Sequence, residues 1–132
     1  MDKPSASVVA ALFVKEGKML VGKRPEGKPR AGLWEFVGGK TEKGETERAA
    51  LVRECKEELG VKITVGEEYF RTSFGYTDVK ITLALYRAQI VEGIPKNFEH
   101  SELKWMSPGE TDDYEFCPAD APILRYIKDK GL

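Results

Sequence analysis

The chain has 132 residues, of which 41% are hydrophobic and 33% charged, and its net charge is −1. This length fits a single domain over residues 1–132, and the balance of 21 basic against 22 acidic residues argues against a nucleic-acid-binding protein, which would carry a basic excess. No apolar run approaches the ~18 residues of a membrane span and no signal peptide is evident, so we expect a cytoplasmic protein that binds no membrane.

The first part of the chain predicts a β-hairpin, a loop and a short extended segment. Residues 7–14 are apolar on both faces, which is typical of a strand covered on both sides, and a glycine-containing turn leads to a second strand over 19–24. Residues 25–32, PEGKPRAG, predict a basic loop. Residues 33–37 then extend to the glycine pair Gly38 and Gly39.

A helix is predicted next, with Thr46 as its N-cap, its end near Leu59 and Gly60 as its stop. Helical spacing gives it a core-facing stripe made of Leu51, Val52, Cys55 and Leu59. Cys55 and the second cysteine, Cys117, have no C-x-x-C partner, so we expect free thiols rather than a disulfide or a zinc site.

Three glutamates of this helix, Glu54, Glu57 and Glu58, predict one acidic patch. Glu57 and Glu58 lie about 60° and about 40° to either side of Glu54, so the three share a face. Like charges at this spacing weaken a helix by roughly 0.2–0.5 kcal/mol per pair, and a bound cation is the simplest reason to keep them. The alternative is a solvated acidic surface. The patch borders the apolar stripe, which places it at the rim between core and solvent.

The second part of the chain predicts strands over 61–72, 79–91 and 103–106, a short helix start at 107–110 and an amphipathic helix over 118–130. The core side of that last helix is formed by Ile123, Leu124, Tyr126 and Ile127. Because strands outnumber helices and each long helix has one apolar stripe, the sequence predicts an α/β layered fold, a mixed sheet with helices on both faces.

The stretch from Gly39 to Val61 resembles the Nudix box, G-x5-E-x7-R-E-U-x-E-E-x-G-U, where U is apolar. Every fixed position is matched over 23 residues, with Cys55 at an apolar position that a buried thiol can fill. Similarity to MutT-type nucleoside triphosphate pyrophosphohydrolases covers nearly the whole chain, through Arg24, residues 33–36 and 38–40, Trp105 and residues 116–124. The resemblance implies the Nudix fold, an α/β/α sandwich with a central mixed sheet.

The resemblance also implies a metal-dependent hydrolase that cuts a (d)NTP to the monophosphate and pyrophosphate, with Mg²⁺ as cofactor and Mn²⁺ as a possible substitute. The implied ligands are the carbonyl of Gly38 and the carboxylates Glu54, Glu57, Glu58 and Glu99. Glu54 is the expected general base and Glu99 the second choice.

Three further residues bear on this implied metal site. Glu99 is selected because it lies six residues before Trp105, and Glu102 is its rival as the extra ligand. Arg53 is expected to anchor the loop from Gly39 by pairing with Glu45.

The implied substrate-binding residues are Arg24 and Lys40 for the phosphates, Tyr76 for stacking and Asp120 for the base edge. An ionised Asp120 only accepts hydrogen bonds and would favour an amino group, whereas a protonated one also donates; it could instead cap the last helix. Tyr76 and Phe74 could instead belong to the core, and we assign no catalytic role to His100.

The substrate class stays open at this point. Modified or oxidised nucleotides are favoured, with (d)CTP and its 5-substituted forms competing with 8-oxo-dGTP. ADP-ribose or dinucleoside polyphosphates are the enzymatic alternative, and a non-catalytic nucleotide-binding module is the other. The expected partner is the nucleotide alone, in a monomer or a homodimer.

Overall fold

A computed structural model describes residues 3–132, within which seven strands form one mixed sheet. The strands are β1 Ser5–Leu12, β2 Val14–Lys15, β3 Lys18–Lys23, β4 Trp34–Lys40, β5 Lys62–Gly75, β6 Lys80–Glu92 and β7 Glu102–Met106. Their order is β2-β3-β4-β1-β6-β5, with β7 paired to β3. β1 and β6 are parallel and the other pairs are antiparallel.

Two helices cover opposite faces of the sheet, α1 over Glu47–Leu59 and α2 over Ala121–Lys130. The central strand β1 shows why both are needed. Val9 and Ala11 pack in the hydrophobic cluster that contains the buried side of α1, whereas Ala10 and Leu12 pack in the cluster that contains α2. The predicted strand covered on both sides is therefore confirmed, and so is the α/β/α sandwich.

The predicted ends of α1 are confirmed. The hydroxyl of Thr46 accepts a hydrogen bond from the N–H of Ala49 at 3.1 Å, and Gly60 ends the helix in the left-handed region with φ of 69°. The predicted core position of Val52 is wrong, because 39% of its surface is exposed. Val52 lies about 100° around the helix from the buried Leu51, beyond the face that the sheet covers.

The other predicted elements are present with shifted ends. The connection between β5 and β6 is a tight turn, closed by a hydrogen bond from the N–H of Tyr76 to the carbonyl of Val79 at 2.8 Å. The short predicted helix is a 3₁₀ helix, Pro108–Asp113, and the last helix begins with another, Pro118–Asp120.

Several smaller sequence expectations can also be compared with the fold. On the last helix Ile123 and Ile127 are buried, as predicted, and Leu124 and Tyr126 are partly buried. Cys55 and Cys117 are buried free thiols. None of the helices within residues 3–132 has the length and apolar character needed to cross a membrane.

Candidate active site

A cleft of about 690 Å³ brings the predicted metal-binding and substrate-binding residues together. The residues from both groups that line it are Arg24, Gly38, Lys40, Glu54, Glu57, Glu58, Tyr76, Glu99 and Asp120. Glu102, the rival to Glu99, lines a separate depression beside β7. Among these two candidates, the geometry of the cleft therefore favours Glu99.

The glycine pair at the end of β4 allows α1 to approach the sheet closely. A Cβ atom at Gly39 would overlap the carboxyl group of Glu54, and one at Gly38 would overlap the carbonyl of Val9 on the neighbouring strand. A side chain at Gly38 would meet the backbone of β1, whereas one at Gly39 would displace the flexible carboxyl end of Glu54. The backbone of β4 consequently lies directly against a glutamate of the box.

Arg53 joins the loop after β4 to the acidic face of α1. Its Nε and Nη2 atoms donate to the two carboxylate oxygens of Glu45 at 2.7 and 2.9 Å, and Nη2 also donates to the carbonyl of Lys40 at 3.1 Å. Its Nη1 atom donates to Glu54 at 2.8 Å and to Glu57 at 3.2 Å. The expected pairing with Glu45 is present, and its hydrogen bonds lower the pKa of Glu45 to about 2.

The three box glutamates line one cleft, as the sequence predicts, but their side chains are unequally exposed. The side chains of Glu54 and Glu58 are only 14% and 12% exposed, whereas that of Glu57 is 58% exposed. Viewed down the helix axis, Glu54 and Glu58 lie between the directions of the buried residues Ala50 and Leu51. They therefore share the side of α1 that faces the sheet. Two carboxyl groups are therefore inside the cleft and the third is at its edge.

Burial and crowding by like charges favour the neutral form of Glu58. Burial contributes most, followed by a hydrogen bond to Glu54 and the negative charges of Glu54, Glu35 and Glu99, and together they raise the pKa of Glu58 to about 9. The part of the cleft around Glu54, Glu58, Glu35 and Glu99 is called the acidic end. It thus holds more carboxyl groups than can be ionised together without a compensating cation.

Glu35 and His100, which the sequence analysis did not assign to the site, lie in the wall of the acidic end. The Nε2 atom of His100 is 3.1 Å from Glu35, and its Nδ1 atom is 3.9 Å from Glu58 and has no hydrogen-bond partner among the described residues. Gly22 makes room for the imidazole, because a Cβ there would overlap the ring. The sequence offered one signal for Glu35. It lies between the apolar residues Trp34 and Phe36, so strand alternation places its side chain on the opposite face of the sheet from theirs.

The residues of the acidic end fit a divalent metal, although no three carboxyl, imidazole or thiol groups within residues 3–132 already surround an ion position. Their donors are carboxylate and carbonyl oxygens, which suit hard cations. Burial and the neighbouring negative charges raise the pKa of Glu58, and a bound cation would favour its ionised form. Glu99, the expected extra ligand, is paired with Lys28 at the mouth of the cleft.

The predicted phosphate-binding residue Arg24 is held by protein groups. Its Nη1 atom donates to Glu35 at 3.0 Å, and its Nε atom donates to the carbonyl of Pro29 at 2.7 Å. Lys40 lines the cleft with an exposed side chain at the end of β4.

The predicted stacking residue, Tyr76, also lines the cleft, and the part of the cleft around Tyr76 and Asp120 is called its second end. One face of the Tyr76 ring is covered. The guanidinium of Arg30 lies 4.0 Å from the ring centroid. The hydroxyl of Tyr76 accepts a hydrogen bond from the N–H of Ala119 at 3.0 Å, and Phe74 packs 4.7 Å from its ring. Arg30 is a lining residue that the sequence analysis did not single out.

Asp120 is buried beside this second end, and its side chain does not cap α2. The capping alternative is therefore wrong, because Asp120 already has helical φ and ψ of −86° and −13° and follows a 3₁₀ turn, whereas a cap residue is extended. Burial, reinforced by the charge of Glu35, raises the pKa of Asp120 well above its ordinary value. Its neutral carboxyl group is favoured, and this form both donates and accepts hydrogen bonds.

Comparisons with known proteins identify the family. Residues 8–126 match the NUDIX domain. The chain is 43% identical over 117 residues to CTP pyrophosphohydrolase of Escherichia coli, covering 89% of this chain and 87% of that one. It is 34% identical over 128 residues to 8-oxo-dGTP diphosphatase of Haemophilus influenzae, covering 96% and 94%.

Solved structures show the same fold. The E. coli ORF135 protein superposes with a TM-score of 0.81 at 39% identity, covering 96% of this chain and 91% of that one. The MutT protein of Methanosarcina mazei gives a TM-score of 0.87 at 25% identity, covering 98% and 97%. From the domain match, the relatives and the complete box over Gly39 to Val61, this chain belongs to the Nudix hydrolase family.

Proposed function

We propose that this Nudix hydrolase cuts nucleoside triphosphates to the monophosphate and pyrophosphate with Mg²⁺, and that it clears modified or oxidised nucleotides. The observation that carries the proposal is the partly buried pair Glu54 and Glu58, which shares one cleft with the buried Asp120. The names of the relatives, a CTP pyrophosphohydrolase and an 8-oxo-dGTP diphosphatase, support a nucleotide substrate.

In this proposal Glu54, Glu58 and the carbonyl of Gly38 hold the metal, with Glu57 and Glu99 as the outer carboxylates. Nudix hydrolases generally need a divalent metal, and the all-oxygen donor set favours Mg²⁺. When bound, Mg²⁺ neutralises phosphate charge and makes water a better nucleophile.

The chain's own groups then position the reactants and move the proton. Glu54 accepts the proton of the attacking water on its carboxylate, and Arg53 keeps that carboxylate oriented through its 2.8 Å hydrogen bond. Lys40 and Arg24 contact the phosphates, and Arg24 is already fixed by Glu35. Arg53 acts as a positioning residue, because its hydrogen bonds are to protein groups.

Asp120 reads the base in this proposal. A neutral carboxyl group presents one donor beside one acceptor. Cytosine offers the complementary amino group beside a ring nitrogen acceptor, and 8-oxoguanine offers an N–H donor beside a carbonyl. The raised pKa of Asp120 thus supports both nucleotide classes and removes the restriction to amino groups that an ionised carboxylate would impose.

A nucleotide panel tests the proposal. The purified protein with Mg²⁺ is assayed on dCTP, 5-methyl-dCTP, 8-oxo-dGTP, dGTP and ADP-ribose, and the phosphorus products are identified. We expect monophosphate and pyrophosphate, with kcat/KM highest for a cytosine or 8-oxoguanine nucleotide. Highest activity on ADP-ribose would contradict the substrate class, and metal-independent rates would contradict the role of the carboxylates.

A further inference from the structure

We propose that Arg30 is the stacking surface for the nucleobase at the end of the cleft marked by Tyr76 and Asp120. This inference rests on the proposed function, because it names the residue that holds the base of the nucleotide. Arg30 packs on the ring of Tyr76 and also lines the cleft, so the side of its guanidinium turned away from Tyr76 is available to a ligand.

The guanidinium of Arg30 is fixed on two sides. Its central carbon lies 4.0 Å from the ring centroid of Tyr76, and its Nη1 atom is 3.1 Å from Asp78 in the turn between β5 and β6. Only 22% of its side-chain surface is exposed, although Pro29 and Ala31 on either side are exposed residues of the same loop. A side chain held inward from an exposed loop is ready to receive a flat ligand without further ordering.

The backbone at Arg30 supports a role for its side chain. Its φ is +61°, in the left-handed region that a non-glycine residue occupies at a cost, and such strain persists where the surroundings fix it. Its carbonyl accepts a hydrogen bond from the N–H of Leu33, and the carbonyl of Pro29 just before it accepts one from Arg24. Gly27 and Gly32 occupy similar conformations in this loop without cost, so an arginine at this position needs a reason.

The position of Arg30 fits a base better than a phosphate. Asp78 already balances its charge, which reduces its attraction for an anion, and Arg30 forms no ion pair with a box carboxylate within residues 3–132. Arg30 packs on the ring of Tyr76. The hydroxyl of Tyr76 accepts a hydrogen bond from the N–H of Ala119, the residue before Asp120. Planar guanidinium groups stack well on nucleobases, and a buried carboxyl group beside this surface supplies the edge contact.

Two substitutions separate the planar surface from the charge. Arg30→Lys keeps a cation near Asp78 but removes the plane, and Arg30→Gly removes the side chain at a φ that glycine adopts freely, so the fold is expected to survive. The matched control is Arg48→Gln, because Arg48 lies 5.3 Å from the centroid of Tyr86 and does not line the cleft.

The measurement compares ligands with and without a base. KM is determined for the best nucleotide of the panel and for base-free ribose 5-triphosphate, and inhibition constants are determined for the nucleoside monophosphate and ribose 5-phosphate. Loss of base stacking should raise KM for the nucleotide by roughly 5- to 100-fold in both Arg30 variants, with kcat little changed. The constants for the base-free ligands should not change, and Arg48→Gln should resemble the wild type.

Equal losses for nucleotide and base-free triphosphate would overturn the inference in favour of a phosphate contact. Unchanged constants in folded variants, as judged by thermal melting, would leave Arg30 only a role in the loop and would also overturn it. If the wild type hydrolyses no nucleoside triphosphate, the proposed function fails separately. Direct binding of the monophosphate against ribose 5-phosphate then still decides whether Arg30 holds a base.

Discussion

Replacing Glu58 with glutamine should stabilise the metal-free protein and abolish its metal-dependent activity. Glu58 is 12% exposed and faces the negative charges of Glu54, Glu35 and Glu99, so its ionised form is disfavoured without a cation. Glutamine has a similar size and carries no charge to desolvate. The same change removes an oxygen ligand that the proposed metal requires.

The magnitude follows from the shift in the pKa of Glu58, from 4.5 to about 9. Because the folded pKa is raised, the contribution of this group to stability is fully present below about pH 4.5 and is lost as the pH rises towards 9. At about pH 7.5, keeping the Glu58 carboxyl group neutral in the folded protein costs about 4 kcal/mol, at about 1.4 kcal/mol per pH unit. Imperfect hydrogen bonding of the amide offsets part of this, and we expect a net gain of about 1–3 kcal/mol.

The assay is urea unfolding in EDTA across pH, followed by thermal melting with added Mg²⁺. The difference between Glu58→Gln and wild type should widen from about pH 5 to about pH 8. Added Mg²⁺ should raise the melting temperature of the wild type and not of the variant. Glu57→Gln is the matched control. The Glu57 side chain is 58% exposed, so the free energy of unfolding of this variant should hardly differ from that of the wild type. A variant less stable than wild type at every pH would refute the reasoning.

Three further predictions concern the loop of the Nudix box and the part of the cleft around Tyr76 and Asp120, called the base end. Gly39→Ala should push the carboxyl group of Glu54 aside and lower kcat/KM by roughly 100-fold in the nucleotide assay, with circular dichroism unchanged; a normal rate would contradict the close approach. Arg53→Lys should lose the bidentate bond to Glu45 and destabilise the protein by about 1–3 kcal/mol in urea, and full stability would mean that the loop is held otherwise. Asp120→Asn should change the ratio of rates on dCTP and 8-oxo-dGTP, and it should remove the rise in KM that we expect in the wild type as Asp120 ionises at high pH; an unchanged ratio would exclude Asp120 as a base reader.

Local patterns predicted the parts of the molecule whose causes are local. Thr46 and Gly60 set the ends of α1 by capping chemistry that is complete within a few residues. The pairing of Arg53 with Glu45 was implied by the resemblance to the Nudix box, and it is present. The apolar run of β1 predicted a strand covered on both sides, since this depends only on which residues avoid water.

Features set by distant contacts were missed or wrong. The exposure of Val52, and the greater exposure of Glu57 than of Glu54 and Glu58, depend on how α1 is rotated against the sheet, which helical spacing alone does not fix. His100 joins the acidic end through contacts with Glu35, 65 positions earlier in the chain. No short pattern reports a pairing over such a separation.

The base end shows the same dependence on tertiary structure. Arg30 reaches Tyr76 and Asp78 from a different loop, 48 positions away from Asp78, and its loop composition suggested only a basic turn. The raised pKa of Asp120 arises mainly from burial, which the motif P-A-D does not reveal. Substrate choice is therefore the part of the function that required the structure.

Phosphorus NMR of the reaction of wild-type protein and Glu54→Gln with Mg²⁺ and a cytosine or 8-oxoguanine deoxynucleoside triphosphate tests the central proposal most directly. We predict that the wild type releases nucleoside monophosphate and pyrophosphate only when the metal is present, and that the folded variant releases neither. Release of nucleoside diphosphate and inorganic phosphate, or an undiminished rate in Glu54→Gln, would contradict it.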